Sequence, residues 1–171
     1  LGLLMALSDP TRALSELNDA AHLDSQFGPA VETLGAALDL AVQNDSESAQ
    51  LVVIGRGLGL VNEWKLARAA FESAVELDEK NADAWAWLGE ADQQTNSSDG
   101  GTAELEQALT LNPDSATVRG LRGLYFQRLG NFPQALTEFQ AAAALEPENP
   151  AWLVSVGEAY SKRGDLIRAL A

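Results

Sequence analysis

A single histidine, His22, and no cysteine stand among the 171 residues. Disulfides, thiolate zinc sites and cysteine nucleophiles are therefore excluded. Without a second imidazole or a thiolate, zinc binding and a Ser–His–Asp triad have little support, and His22 reads as a polar residue on a helix surface. The stretch 95–106 spaces superficially like a calcium loop through Asp99, Gly100 and Glu106. Its first and third positions are Thr95 and Ser97, where carboxylates are wanted, so it reads as a flexible turn. Acidic neighbours recur at Glu76, Asp78 and Glu79 and at Glu146 and Glu148. Paired carboxylates do acid–base chemistry when they flank a pocket, whereas these fall at helix ends, where solvent screens them. The run Gly55-Arg56-Gly57-Leu58-Gly59 looks like a phosphate loop but lacks a preceding strand and a Lys-Ser/Thr pair. Its glycines read as packing positions or as places of close backbone approach. Trp64 and Trp85 fall at packing positions, while Trp87 and Trp152 are candidate interface anchors. No catalytic residue, metal ligand or cofactor site is expected.

The elements that would position any site recur every 34 residues. Gly55, Gly89, Gly123 and Gly157 keep that step, as do Ala74, Ala108 and Ala142, Leu77, Leu111 and Leu145, Phe71, Leu105 and Phe139, and Pro113 and Pro147. One period reads as two helices. Apolar residues fall at helical spacing over 118–129, and Gly130-Asn131 breaks the run. A second amphipathic run covers 132–145, with Pro133 in its first turn, where a missing N–H costs nothing. Pro147 and Pro150 then close the unit, because proline cannot continue a helix. Gly123 and Ala142 would let the paired helices approach, while Phe126 and Phe139 fill the space between hairpins.

These residues resemble the tetratricopeptide repeat family. The match is carried by Trp85-Ala-Trp-Leu88-Gly89, by Gly157-Glu-Ala-Tyr160, and by Asn131-Phe132-Pro-Gln-Ala135 leading to Phe139, Ala142 and Leu145-Glu-Pro147. It is clear from about residue 48 to 171. The expected organisation is a degenerate N-terminal helical repeat (1–47), repeats at 48–81, 82–115 and 116–149, and an incomplete repeat at 150–171. In the first, Phe27, Ala30, Leu34, Ala37 and Leu40 would form the second helix. In the third, Asp92 stands where the family has an aromatic, and the polar turn 95–101 predicts a short second helix and the loosest hairpin. The resemblance implies an all-α, right-handed superhelical solenoid of antiparallel helix pairs, with the first helices lining a concave face.

That face, mapped by the resemblance, holds Val52, Arg56, Asp83, Ala86, Glu90, Gln93, Thr117, Gly120, Leu124, Gln127, Arg128, Val154, Glu158 and Ser161. Val52, Arg56, Asp83, Ala86, Glu90, Gln93, Thr117, Gln127, Arg128 and Glu158 are the candidate partner-binding residues. Val52, Arg56, Ala86, Glu90, Gly120 and Leu124 do not supply the lysines and asparagines with which some family members bind a terminal carboxylate. Arg122, before Gly123, is a variant seen in the family and reads as structural.

Composition bounds the rest. With 46% hydrophobic and 21% charged residues the chain can bury a core and stay soluble. Eleven scattered basic residues against 25 acidic ones, a net charge of −14, oppose nucleic-acid and anionic-lipid partners. No apolar run approaches the roughly 20 residues of a membrane span. The apolar opening 1–7 lacks a basic leader and a cleavage pattern. The first residue is not Met, so the chain reads as an internal segment or a processed product, with an unfinished helix over 166–171. The expected function is a non-catalytic scaffold binding a protein or peptide. The alternatives are self-assembly through the C-terminal edge and a docking or regulatory segment of a larger enzyme.

Overall fold

A computed structural model describes residues 9–24, 27–95 and 100–169. Ten helices and no strand occur among them. In order they are α1 (Pro10–Leu23), α2 (Gly28–Ala41), α3 (Glu47–Leu60), α4 (Trp64–Leu77), α5 (Ala82–Gln94), α6 (Thr102–Leu111), α7 (Ala116–Arg128), α8 (Phe132–Leu145), α9 (Pro150–Arg163) and α10 (Leu166–Ala169). Each helix packs on its neighbours in the chain, and α5 also lies against α3 and α7. The result is an all-α solenoid in which α3, α5 and α7, the first helices of three successive hairpins, stack directly on one another.

Short polar residues start these helices. The side chains of Ser46, Asn81, Ser115 and Asn149 accept the N–H of Ala49, Ala84, Val118 and Ala151 and cap α3, α5, α7 and α9. Each cap satisfies a donor that the first turn leaves without an intrahelical partner. Two of them also tie hairpin to hairpin. Asn81 donates to Ser48 Oγ (2.8 Å), and Ser48 donates to the Ala74 carbonyl (2.8 Å). Ser115 donates to Asp83 at 3.1 Å. Gly130 and Gly164, both at positive φ, end α7 and α9.

The apolar core runs as a stripe along the stack. One cluster extends from Ala13 to Ala91, a second centres on Leu105 and Val118, and a third on Leu136 and Phe139. Trp85 and Trp87 pack on the first two, and Leu124 on the last two. The repeated glycines explain how paired helices come so close. A Cβ on Gly55 would fall 2.5 Å from the Phe71 ring, and one on Gly123 would fall 2.5 Å from Phe139. Gly57 meets the Ala37 methyl in the same way, at 2.5 Å. The glycines of 55–59 thus admit the protein's own neighbours.

The third hairpin departs from this plan. Its second helix, α6, has 10 residues where α4 and α8 have 14. It begins at Gly101, which is left-handed (φ 73°) and lies against the backbone of Gly89, so a side chain at either position would strike main chain. The turn is therefore anchored at Gly101, while residues 96–99, with Ser97 and Asp99 of the calcium-like spacing, lie outside the described residues. In the N-terminal hairpin Leu34 is fully buried, whereas Phe27, expected inside the second helix, precedes α2 and is half exposed.

Gly123→Ala is expected to cost about 1–3 kcal/mol, the range for overpacking a well-filled site. In urea denaturation its effect and that of Phe139→Leu will be less than additive, because the smaller side chain vacates the space the new methyl needs.

Candidate functional site

The polar face of the first helices is organised by arginines. Glu90 on α5 is only 4% exposed. Arg128, 38 residues on at the end of α7, donates to both of its carboxylate oxygens, Nη1 to Oε2 at 2.7 Å and Nη2 to Oε1 at 2.5 Å. Arg128 Nη1 also donates to Gln93 Oε1 (2.6 Å), and Gln94 Nε2 donates to Glu90 Oε1 (2.8 Å). A bidentate fork of this kind fixes direction as well as distance. Three of the residues mapped to the face, Glu90, Gln93 and Arg128, are thus one hydrogen-bonded group joining two stacked helices. Arg56 on α3 lies 5.2 Å from the centroid of the Trp87 ring, and Trp87 stacks on Phe71 with centroids 6.0 Å apart.

The other mapped residues lie at different depths. Val52 (6% exposed) and Ala86 (0%) are buried and support the face from beneath. Asp83 is half-buried and accepts from Ser115. With Thr117 it lines a polar cleft of about 660 Å³ at the helix starts, where Asp78, Asp114 and Glu146 also gather. Gln127 is half-buried, and its Oε1 accepts no hydrogen bond among the described residues. Glu158 is exposed on α9. His22 is exposed near the end of α1. No group of three or more His, Asp or Glu side chains among the described residues is arranged to hold a metal ion. No described helix is long and apolar enough to cross a membrane.

Two further ion-pair groups escape the repeat pattern. Asp92, the acid in an aromatic position, is buried and receives Arg68 Nε from α4 at 2.5 Å, and Arg68 also reaches Glu72 at 2.5 Å. The hydrogen bond that Arg68 donates to Asp92 is the main reason its guanidinium is pushed above its usual range, against the opposing effect of burial. Glu138 on α8 is buried between Arg119 (3.1 Å) and Arg122 (2.6 Å) of α7, and Arg122 continues to Glu106 at 2.8 Å. The departure at Asp92 was a visible signal that a cation must lie opposite. Its partner, 24 residues away, had no local mark.

Trp152 is half-buried. Its indole lies on the backbone of Gly120, and its Nε1 donates to Glu146 at 2.8 Å. Hydrogen bonds from Asn149 and then Trp152 hold the Glu146 carboxyl below its ordinary range. A carboxyl lowered in this way contributes stability that is complete above its unfolded value and disappears as pH falls through the folded one. Acid titration followed by thermal melting should therefore show a loss at low pH that Glu146→Gln reduces.

The Arg128–Glu90 pair should respond asymmetrically. Arg128→Ala strands a buried carboxylate and is expected to cost about 1–3 kcal/mol, below the full cost of breaking a buried pair because Arg128 is part-exposed. Glu90→Gln leaves only a solvated arginine and should cost less than about 1 kcal/mol. Chemical denaturation of both variants checks the order.

Two models described as tetratricopeptide repeat match residues 62–125 and 121–171. Human Superkiller complex protein 3 is 27% identical over 165 residues, covering 95% of this chain and 9% of its own length. The peroxisomal targeting signal receptor of Candida albicans is 34% identical over 79 residues, 46% of this chain and 13% of that protein. The chain thus spans only a small part of these relatives. Among solved structures, a thermophilic tetratricopeptide protein of Thermus thermophilus superposes with a TM-score of 0.67 at 20% identity, covering 92% of this chain and 86% of that one. MamA superposes with 0.57 at 20% identity over 80% of each chain. With its 34-residue period, its glycine-centred hairpins and both models matching in succession, the chain belongs to the tetratricopeptide repeat family.

Proposed function

We propose that the chain is a non-catalytic scaffold that binds a protein or peptide along the exposed side of α3, α5, α7 and α9. The observation that carries this reading is the continuity of that side. Arg56 lies on Trp87, and Glu90, Gln93 and Arg128 form one hydrogen-bonded group, so charged and aromatic groups follow each other across three stacked helices. A preformed face of this length suits an extended peptide or a helix, because little ordering entropy is lost by the receptor. The net charge of −14 opposes a nucleic-acid partner. Two relatives named as a complex protein and a targeting-signal receptor agree with binding as the activity.

A second reading is self-association through the last hairpin, where Leu153, Val154 and Ile167 are exposed. Sedimentation at several concentrations separates the two, since a scaffold alone stays monomeric. For the first reading, a partner captured by the chain should protect backbone amides of α3, α5 and α7 from hydrogen exchange. Protection confined to α4 and α8 would overturn it.

A further inference from the structure

Between α2 and α3 lies an apolar depression of about 290 Å³. Ala36, Ala37 and Leu40 form one wall and Val53 and Leu60 the other, with Arg56 at the rim. Its floor is tight, because Gly57 presses on Ala37. Its edges are left open: Leu40 is 51% exposed and Leu60 79%, although both are large aliphatics. Arg56 is held differently from the arginines of the ion-pair groups. Arg68, Arg119, Arg122 and Arg128 are each engaged by carboxylates. Arg56 is exposed, rests on the Trp87 ring, and forms no ion pair among the described residues, in a chain with 25 acidic side chains. An aromatic platform holds its guanidinium in one orientation without neutralising it.

We infer that this depression is a docking subsite for a segment of a partner protein carrying an aliphatic side chain beside a carboxylate. The inference rests on the scaffold reading and adds the partner's chemistry. The aliphatic group would cover Leu40 and Leu60, and the acid would pair with Arg56. A leucine-sized group matches the depression, which lies at the low end of ligand pockets of about 300–1,000 Å³. Arg128 cannot serve the same role, since Glu90 already occupies both arms of its fork.

The test is selection of a displayed library of short random peptides on the intact chain. Enriched peptides should carry Asp or Glu close to Leu, Ile or Val. Their synthetic versions should bind roughly tenfold or more weakly to Arg56→Gln, and to Ala36→Trp, which fills the depression from an exposed position. Replacing the peptide's own acid by its amide should lower affinity for the parent chain and leave binding to Arg56→Gln unchanged. Circular dichroism and thermal midpoints should match those of the parent, because neither position is buried. Peptides that bind equally to all three chains would overturn the subsite and leave the scaffold reading standing. Failure to enrich any peptide, or enrichment without acids, also overturns the subsite. The scaffold reading is then decided separately by the hydrogen-exchange map of a captured partner.

Discussion

The structure depends on a large side chain laid directly on a helix backbone that has no Cβ in the way. Phe71 lies on Gly55 and Phe139 on Gly123, at distances that no alanine could share without a shift. Glycine inside a helix costs about 1 kcal/mol relative to alanine. Full burial of a phenylalanine returns about 1.5–3 kcal/mol, so the exchange favours the close hairpin. Both rings are completely buried. The contact sits at the same repeat position in the two hairpins that carry it, so their helices close in the same way. In the third hairpin Leu105 replaces phenylalanine, and the helices close instead through Gly89 against Gly101, where main chain meets main chain.

Polar groups set how the hairpins align. Glu90, Asp92 and Glu138 are buried acids, and each meets an arginine from a different helix. A buried carboxylate without a partner is strongly unfavourable, whereas a paired one is roughly neutral against an apolar replacement. These pairs therefore contribute more to register than to stability. A slip of one residue along a neighbouring helix would strand the charge. The caps act at the same joints, since Asn81 and Ser115 start their helices while bonding across to Ser48 and Asp83.

The proposed docking patch is what this arrangement leaves over. The buried carboxylates of Glu90, Asp92 and Glu138 have cations, most large apolar residues are covered, and the net charge is −14. Arg56 and the neighbouring Leu40 and Leu60 are exceptions on the same patch of the molecule. A rigid stack can hold such a patch open, because the contacts that keep it folded lie beneath, at Gly57, Ala37 and Phe71.

Much of the fold was legible in the amino-acid order. The 34-residue period, the paired helices, the tight positions at Gly55 and Gly123 and the shortened helix after the polar turn are local or periodic, and local geometry is written in neighbouring residues. The candidate face was legible only as a direction around each helix. Repeat position put Val52 and Ala86 on it, yet both are buried, because a side chain's depth depends on how far the next helix leans over it. The pairing of Arg128 with Glu90 spans 38 residues and that of Arg68 with Asp92 spans 24. No spacing rule links such residues. Coulomb attraction and desolvation act through space, so only the stacked helices decided which arginines were taken and left Arg56 without an acid among the described residues.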